Sequence, residues 1–135
     1  MRKLFLLLLV CCSSSLFAQD IAGRWTTVND HTGLKTSVVE IKVVNGIASG
    51  HVLDITDKSK LKDHCNKCTD DRKDQPIMGM EIIRNMRKKG NDWSGGTIMD
   101  PATGDVYDCK LWVEGGKLKV RGYVAFFYRT QEWVR

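Results

Sequence analysis

Turn-forming clusters punctuate this chain at intervals of roughly 10 to 15 residues, and that spacing limits the fold more than any other feature. The clusters are Asp30-His31-Thr32-Gly33, Asn45-Gly46, Lys89-Gly90-Asn91-Asp92, Asp100-Pro101-Ala102-Thr103-Gly104 and Glu114-Gly115-Gly116-Lys117. Between them lie short segments in which apolar and polar residues alternate. A strand sends successive side chains to opposite faces, so alternation marks a half-buried strand. Val39, Ile41 and Val43 alternate with Glu40 and Lys42. Tyr107, Cys109, Leu111 and Val113 alternate with Asp108 and Lys110, and Leu118, Val120, Gly122 and Val124 with Lys119 and Arg121.

The spacing predicts strands over residues 24–29, 36–44, 47–55, 77–86, 93–99, 106–113, 118–124 and 129–134. The segment 77–86 also fits a short helix. Asn45-Gly46 is the dipeptide a type I′ hairpin turn prefers, because both central residues need positive φ. Strands joined in order by tight turns, with no helices between them, make an all-β fold. The expected architecture is an antiparallel up-and-down β-barrel of about eight strands, since closure removes the exposed edges of such a meander. A barrel of this size holds its own side chains or one small ligand. The break at 56–75 is too long for a tight turn, and connections of that length in compact domains are usually functional.

The amino terminus reads as an export signal. Met1-Arg2-Lys3 precedes an uncharged run from Leu4 to Cys12, followed by Ser13-Ser14-Ser15-Leu16-Phe17-Ala18. A basic start, a short apolar run and small residues at its end are the pattern of a secretory signal peptide. The run is shorter than the roughly 20 residues a bilayer span needs. The expected organisation is a signal peptide at 1–18 and a single barrel domain at 19–135, exported and so periplasmic or secreted. Loss of Arg2 and Lys3 lowers the formal net charge from +5 to +3. The remaining bases are mixed with acids, and no basic face interleaved with aromatics is present. Nucleic-acid binding is therefore not expected.

Cys65-Asn66-Lys67-Cys68 lies in the long break, flanked by Asp63, Asp70 and Asp71. A redox motif needs positive surroundings that lower a thiol pKa, and these acids act the other way. Zinc needs two more ligands beyond a single Cys-x-x-Cys, with Cys109, His64 and His51 as the candidates. After export, a disulfide is the default for a close pair. The favoured pairing is Cys65 with Cys68, leaving Cys109 as a buried thiol on an alternating strand; a bridge from either one to Cys109 is the second option. No serine–histidine constellation, phosphate-cradling glycine loop or His-Glu-x-x-His is legible, so no catalytic residue and no cofactor is expected.

Gly23-Arg24-Trp25 at the first strand resembles the opening signature of lipocalin and fatty-acid-binding barrels. The carboxy-terminal half is more specific. Trp93, Gly95, Gly96, Asp100, Pro101, Gly104, Tyr107, Leu118-x-Val120-Arg121-Gly122-Tyr123 and Arg129-Thr130-Gln131-x-Trp133 resemble domain-of-unknown-function family number 2147, small secreted bacterial proteins. Pro76 and Gly79 also match. Where that family usually has glycine and leucines after the Val-Arg-Gly-Tyr stretch, this chain has Val124-Ala125-Phe126-Phe127-Tyr128. The resemblance implies a lipocalin-like barrel and export, and carries no reaction. It also implies that Trp25 closes one end of the barrel under an arginine from a late strand, Arg129 or Arg121, with Arg129 the expected partner.

The functional expectation is a non-enzymatic barrel that binds a small apolar or amphipathic ligand in the cell envelope. Trp25, Tyr107, Arg121 and Tyr123 are the candidate ligand residues. The alternative is a filled barrel that acts as an envelope structural or interaction protein through the cysteine-containing loop, its protein partner unspecified by the sequence.

Overall fold

The computed structural model describes residues 20–135. The segment read as a signal peptide therefore lies outside the described residues. Eight strands follow one another: β1 (Gly23–Val28), β2 (Lys35–Val44), β3 (Ile47–Ile55), β4 (Glu81–Lys89), β5 (Asp92–Met99), β6 (Val106–Glu114), β7 (Lys117–Val124) and β8 (Phe127–Trp133). Each pairs antiparallel with the next, giving one sheet in sequence order. The sheet curls until its edges meet. Thr26 of β1 and Val134, just past β8, exchange backbone hydrogen bonds of 2.6 and 3.0 Å. The expected all-β barrel is thus observed, and among the described residues the one helical element is a 3₁₀ turn at Lys58–Lys60.

Local chemistry explains the turns and the curvature. Asn45 and Gly46 take φ of 52° and 76°, the pair of left-handed residues a type I′ turn requires. The barrel bends sharply where β4 crosses β5. A Cβ on Gly96 would stand 1.9 Å from the Arg84 carbonyl oxygen, so only glycine lets these strands approach so closely.

The fourth strand differs from expectation. It begins at Glu81 and not near residue 77. Gly79 turns the chain at φ 83°, and its amide donates to the Val52 carbonyl at 2.8 Å. Met78 and Met80 therefore belong to the end of the long connection, and their alternation with Ile82 is a coincidence of spacing. Within β4, Asn85 is left-handed at φ 59°, and the neighbours Ile82 and Ile83 are both buried.

The barrel has two unlike ends. The β2–β3, β4–β5 and β6–β7 hairpins close one end, and beneath it Trp25, Ile41, Ala48, Met86, Leu111 and Leu118 pack with almost no exposure. Trp25 is the centre of this plug. Its indole Nε1 donates to the Ile21 carbonyl at 2.8 Å. The guanidinium of Arg135 lies 3.9 Å from its ring centroid and bonds the Asp20 carbonyl at 2.5 Å. This corrects the expected Trp25–Arg129 pair. Arg129 pairs in register with Gly122 toward the opposite end, where it bonds Asp30, and Arg121 points outward. Arg135 follows the Thr26–Val134 bridge directly, so closure of the sheet delivers it to Trp25.

Trp25→Ala should cost about 3–5 kcal/mol in urea melts, as for other large core truncations. Arg135→Ala should cost about 0.5–2 kcal/mol, the range of a cation–π contact. A loss below about 1 kcal/mol for Trp25→Ala would mean that the plug does not hold the closed end.

Candidate functional site: a cavity at the open end of the barrel

Above the plug the barrel is hollow. A cavity of about 710 Å³ opens at the end that carries the β1–β2, β3–β4, β5–β6 and β7–β8 connections. The filled interior of the alternative expectation is therefore not what forms. Side-chain size contributes: Thr27, Ser37, Gly122 and Val124 are small inward positions near this end, while the larger Tyr107, Arg129 and Gln131 stand along the wall. Ile82, Ile98, Met99, Val120 and Trp133 make an apolar floor, while Asn29, His31, Lys60 and Pro101 reach the rim.

Polar groups are concentrated on two walls. On one, the Thr27 hydroxyl lies 2.7 Å from both Thr36 Oγ1 and Ser37 Oγ, so three hydroxyls share their hydrogens within a single cluster. On the other stand Arg129, Gln131 and Tyr107. Arg129 binds the Asp30 carboxylate through two nitrogens, tying β8 to the β1–β2 turn across the rim. That hydrogen bonding holds the Asp30 carboxyl below the usual carboxylate range and raises Arg129 further, so both stay charged at neutral pH. Burial, and then the Asp105 charge, push the Tyr107 phenol up, so it remains a donor, here to Asp105 Oδ2 at 3.3 Å.

Of the four residues nominated for ligand contact, the structure places Tyr107 on the cavity wall and the other three elsewhere. Trp25 belongs to the plug. Arg121 and Tyr123 face outward; Arg121 is stacked between Trp112 and Tyr128, with ring centroids at 4.9 and 4.1 Å. The alternation in β7 had already put Leu118, Val120, Gly122 and Val124 on the other face from Arg121. The residues missed are Arg129, Gln131 and Trp133. They follow one another at period two along β8, and that signal was available in Arg129-Thr130-Gln131-x-Trp133.

The long connection backs one wall from outside. Cys65 and Cys68 are joined in a disulfide, and Cys109 is free and buried. Cys68 Sγ touches Met99 Sδ at 3.6 Å and Cys65 Sγ meets the Pro101 carbonyl at 3.6 Å, both from behind the cavity lining. A Cβ on Gly104 would fall 2.0 Å from the Lys67 carbonyl oxygen. The Asp100-Pro101-x-x-Gly104 turn is thus the seat of the disulfide loop, and its glycine is needed both for φ 75° and for this approach. Arg72, almost fully buried, reaches Asp70 at 2.5 Å and the Glu81 carbonyl at 3.0 Å; Arg84 holds Asp71 at 2.8 Å. These pairs fasten the loop to β4.

The zinc alternative at Cys65, Cys68, Cys109 and His64 does not assemble. The first two sulfurs are bonded to each other, Cys109 is on β6, and the exposed His64 ring bonds the Lys62 carbonyl. Among the described residues, no three His, Cys, Asp or Glu side chains group as a metal cage. Burial pushes the Cys109 thiol up to about 12, which makes it a core side chain without nucleophilic character.

Residues 23–135 match the family described as "Uncharacterized protein conserved in bacteria (DUF2147)". The chain belongs to this family. In this chain the Asp100-Pro101-x-x-Gly104 turn serves as the dock for the 56–80 connection. No curated protein matches the chain. Among solved structures, it is similar to one titled "Protein HP1028 from the human pathogen Helicobacter pylori belongs to the lipocalin family". The TM-score is 0.74 at 16% identity, over 86% of this chain and 82% of that one. At that identity the likeness speaks to the fold, and it agrees with the lipocalin-like barrel expected for this DUF2147 member.

The Asp70–Arg72 pair makes the loop's attachment pH-dependent. Hydrogen bonds from Arg72 lower the Asp70 carboxyl from 3.8 to about 2. A depressed folded pKa contributes stability above the unfolded value, and that contribution is lost as pH falls through the folded one. Stability from this pair should therefore be complete above about pH 4 and gone below about pH 2. In a carboxyl-carbon NMR titration Asp70 should turn near 2; a midpoint near 4 would mean that Arg72 does not hold it.

Proposed function

We propose that this chain is an exported, non-enzymatic carrier or sensor that binds one small amphipathic molecule in the open-end cavity. The observation that carries the reading is the cavity itself: about 710 Å³, with an apolar floor and polar groups on two walls. Ligand sites typically span about 300–1,000 Å³ and combine an apolar lining with a few fixed polar groups. The ligand's apolar body would lie on Ile82, Ile98, Met99, Val120 and Trp133. Its polar end would meet Arg129, Gln131 and Tyr107, or the hydroxyls of Thr27, Thr36 and Ser37. Export is supported by the signal-like residues 1–18 and by the disulfide, which persists in oxidising compartments. For a member of a bacterial family, export would lead to the periplasm or the exterior.

The loop-mediated interaction role has less support. Asp70, Asp71 and Arg72 of the loop are engaged in intramolecular pairs that serve its own docking. The cavity has no such internal use.

Titration with 1-anilinonaphthalene-8-sulfonate, an amphipathic fluorescent probe, tests the reading. Saturable binding at one site per chain is expected. Gly122→Leu points a side chain into the cavity from β7, and its Cβ would be in ordinary contact with Tyr107 at 3.5 Å. It should weaken binding by about tenfold or more, a difference of about 1.4 kcal/mol, without loss of the barrel. No saturable binding, or equal binding by the filled variant, would contradict a ligand role for the cavity.

A further inference from the structure

Beside the cavity mouth, the β7–β8 hairpin presents its apolar residues to solvent. Phe126 is 97% exposed and Phe127 76% exposed, at a turn where Ala125 is held left-handed at φ 48°. The residues are graded along the hairpin. One step from the tip, Tyr123 and Tyr128 pair across the strands with ring centroids 6.2 Å apart. The next outward row is Arg121 opposite Thr130, with the Arg121 Nε donating to the Thr130 hydroxyl at 2.9 Å. Among the described residues no carboxylate pairs with Arg121; Glu132 is matched by Lys117 and Lys119 and Asp92 by Lys110, while Asp108 on the neighbouring strand is in no ion pair.

We propose that this hairpin docks the protein on a phospholipid membrane surface, with Phe126 and Phe127 entering the acyl boundary and Arg121 meeting lipid phosphate. The order of residues fits the layers of a bilayer interface. Phenylalanine belongs below the headgroups, tyrosine at their level and a cation among the phosphates. Three residues of strand separate Phe127 from Thr130, about 10 Å at the usual rise per residue. Interfacial segments bury their apolar side about 5–10 Å deep, so Arg121 would stand at the phosphates when the tip is seated. Asp108, paired in register with Tyr123 on the neighbouring strand, sets the limit of depth at that row. Exposed contiguous apolar surface of this kind marks an interaction site.

Docking would point the cavity mouth at the bilayer. Val124 lines the cavity, and Tyr123, Val124 and Ala125 line a side recess of about 470 Å³ that shares Tyr107 with it. An amphipathic ligand would then pass between membrane and cavity without crossing bulk water. The docking itself is independent of whether the cavity holds a ligand.

The test is sedimentation of purified protein with vesicles of phosphatidylethanolamine and phosphatidylglycerol, and with vesicles of phosphatidylcholine alone. The wild-type protein should sediment with both, and more tightly with the anionic vesicles. The double variant Phe126→Ser/Phe127→Ser should lose about tenfold in partitioning on both. Arg121→Gln should lose about fivefold on the anionic vesicles. Phe126 and Phe127 stand exposed at the hairpin tip and Arg121 on the outer face, away from the plug, and circular dichroism with tryptophan fluorescence verifies that the variants keep the barrel. Wild-type protein that stays in the supernatant, or a double variant that sediments as well as wild type, overturns the proposal. A concentration-dependent dimer that the double variant abolishes, with no vesicle binding, also overturns it and assigns the face to a second copy of this chain.

Discussion

An eight-stranded antiparallel sheet has two free edges until something brings its first and last strands together, and here that task falls to Trp25. Its indole is bonded to the backbone of Ile21 before β1 and covered by Arg135 after β8. The segments just before β1 and just after β8 therefore converge on one ring. The Thr26–Val134 bridge that closes the sheet lies beside this contact, so plug and closure reinforce one another. Filling one end with Trp25, Met86, Leu111 and Leu118 fixes the barrel's width. At the other end, threonine, serine, glycine and valine then leave it hollow at that same width. The cavity follows from closure and side-chain size together.

The long connection complements this arrangement. It is held to β4 by Arg72 and Arg84, and to the β5–β6 turn by a glycine that admits the Lys67 carbonyl. The Cys65–Cys68 disulfide lies at that second contact, against Met99 and Pro101. Since both residues line the cavity, the disulfide supports the cavity wall from outside. Its sulfurs are buried, which suits a structural clip and not a redox exchanger.

Much of the fold was legible because the local signals agree with one another. Asn45-Gly46 fixed a hairpin, and β2, β6 and β7 alternate cleanly. The pairing of Cys65 with Cys68 was also legible, since its geometry is local. What was hidden depends on tertiary placement. The false alternation of Met78, Met80 and Ile82 breaks at Gly79, whose turn is set by a bond to distant Val52. The arginine over Trp25 could not be chosen from composition, because the choice rests on where the sheet closes. The cavity residues divide differently. Arg121 and Tyr123 attracted attention as polar and aromatic types, while period two along β8 pointed to Arg129 and Gln131. Side-chain direction was the better guide than residue type.

The central claim is that the hollow half of the barrel is kept for a guest. Native mass spectrometry of the protein purified from its own bacterium tests this most directly. A species heavier than the chain by one small molecule of roughly 200–500 Da is expected, released on denaturation and strongly reduced in the Gly122→Leu variant. A chain that is always bare under gentle ionisation, with wild type and variant giving the same mass pattern apart from the substitution, would contradict it.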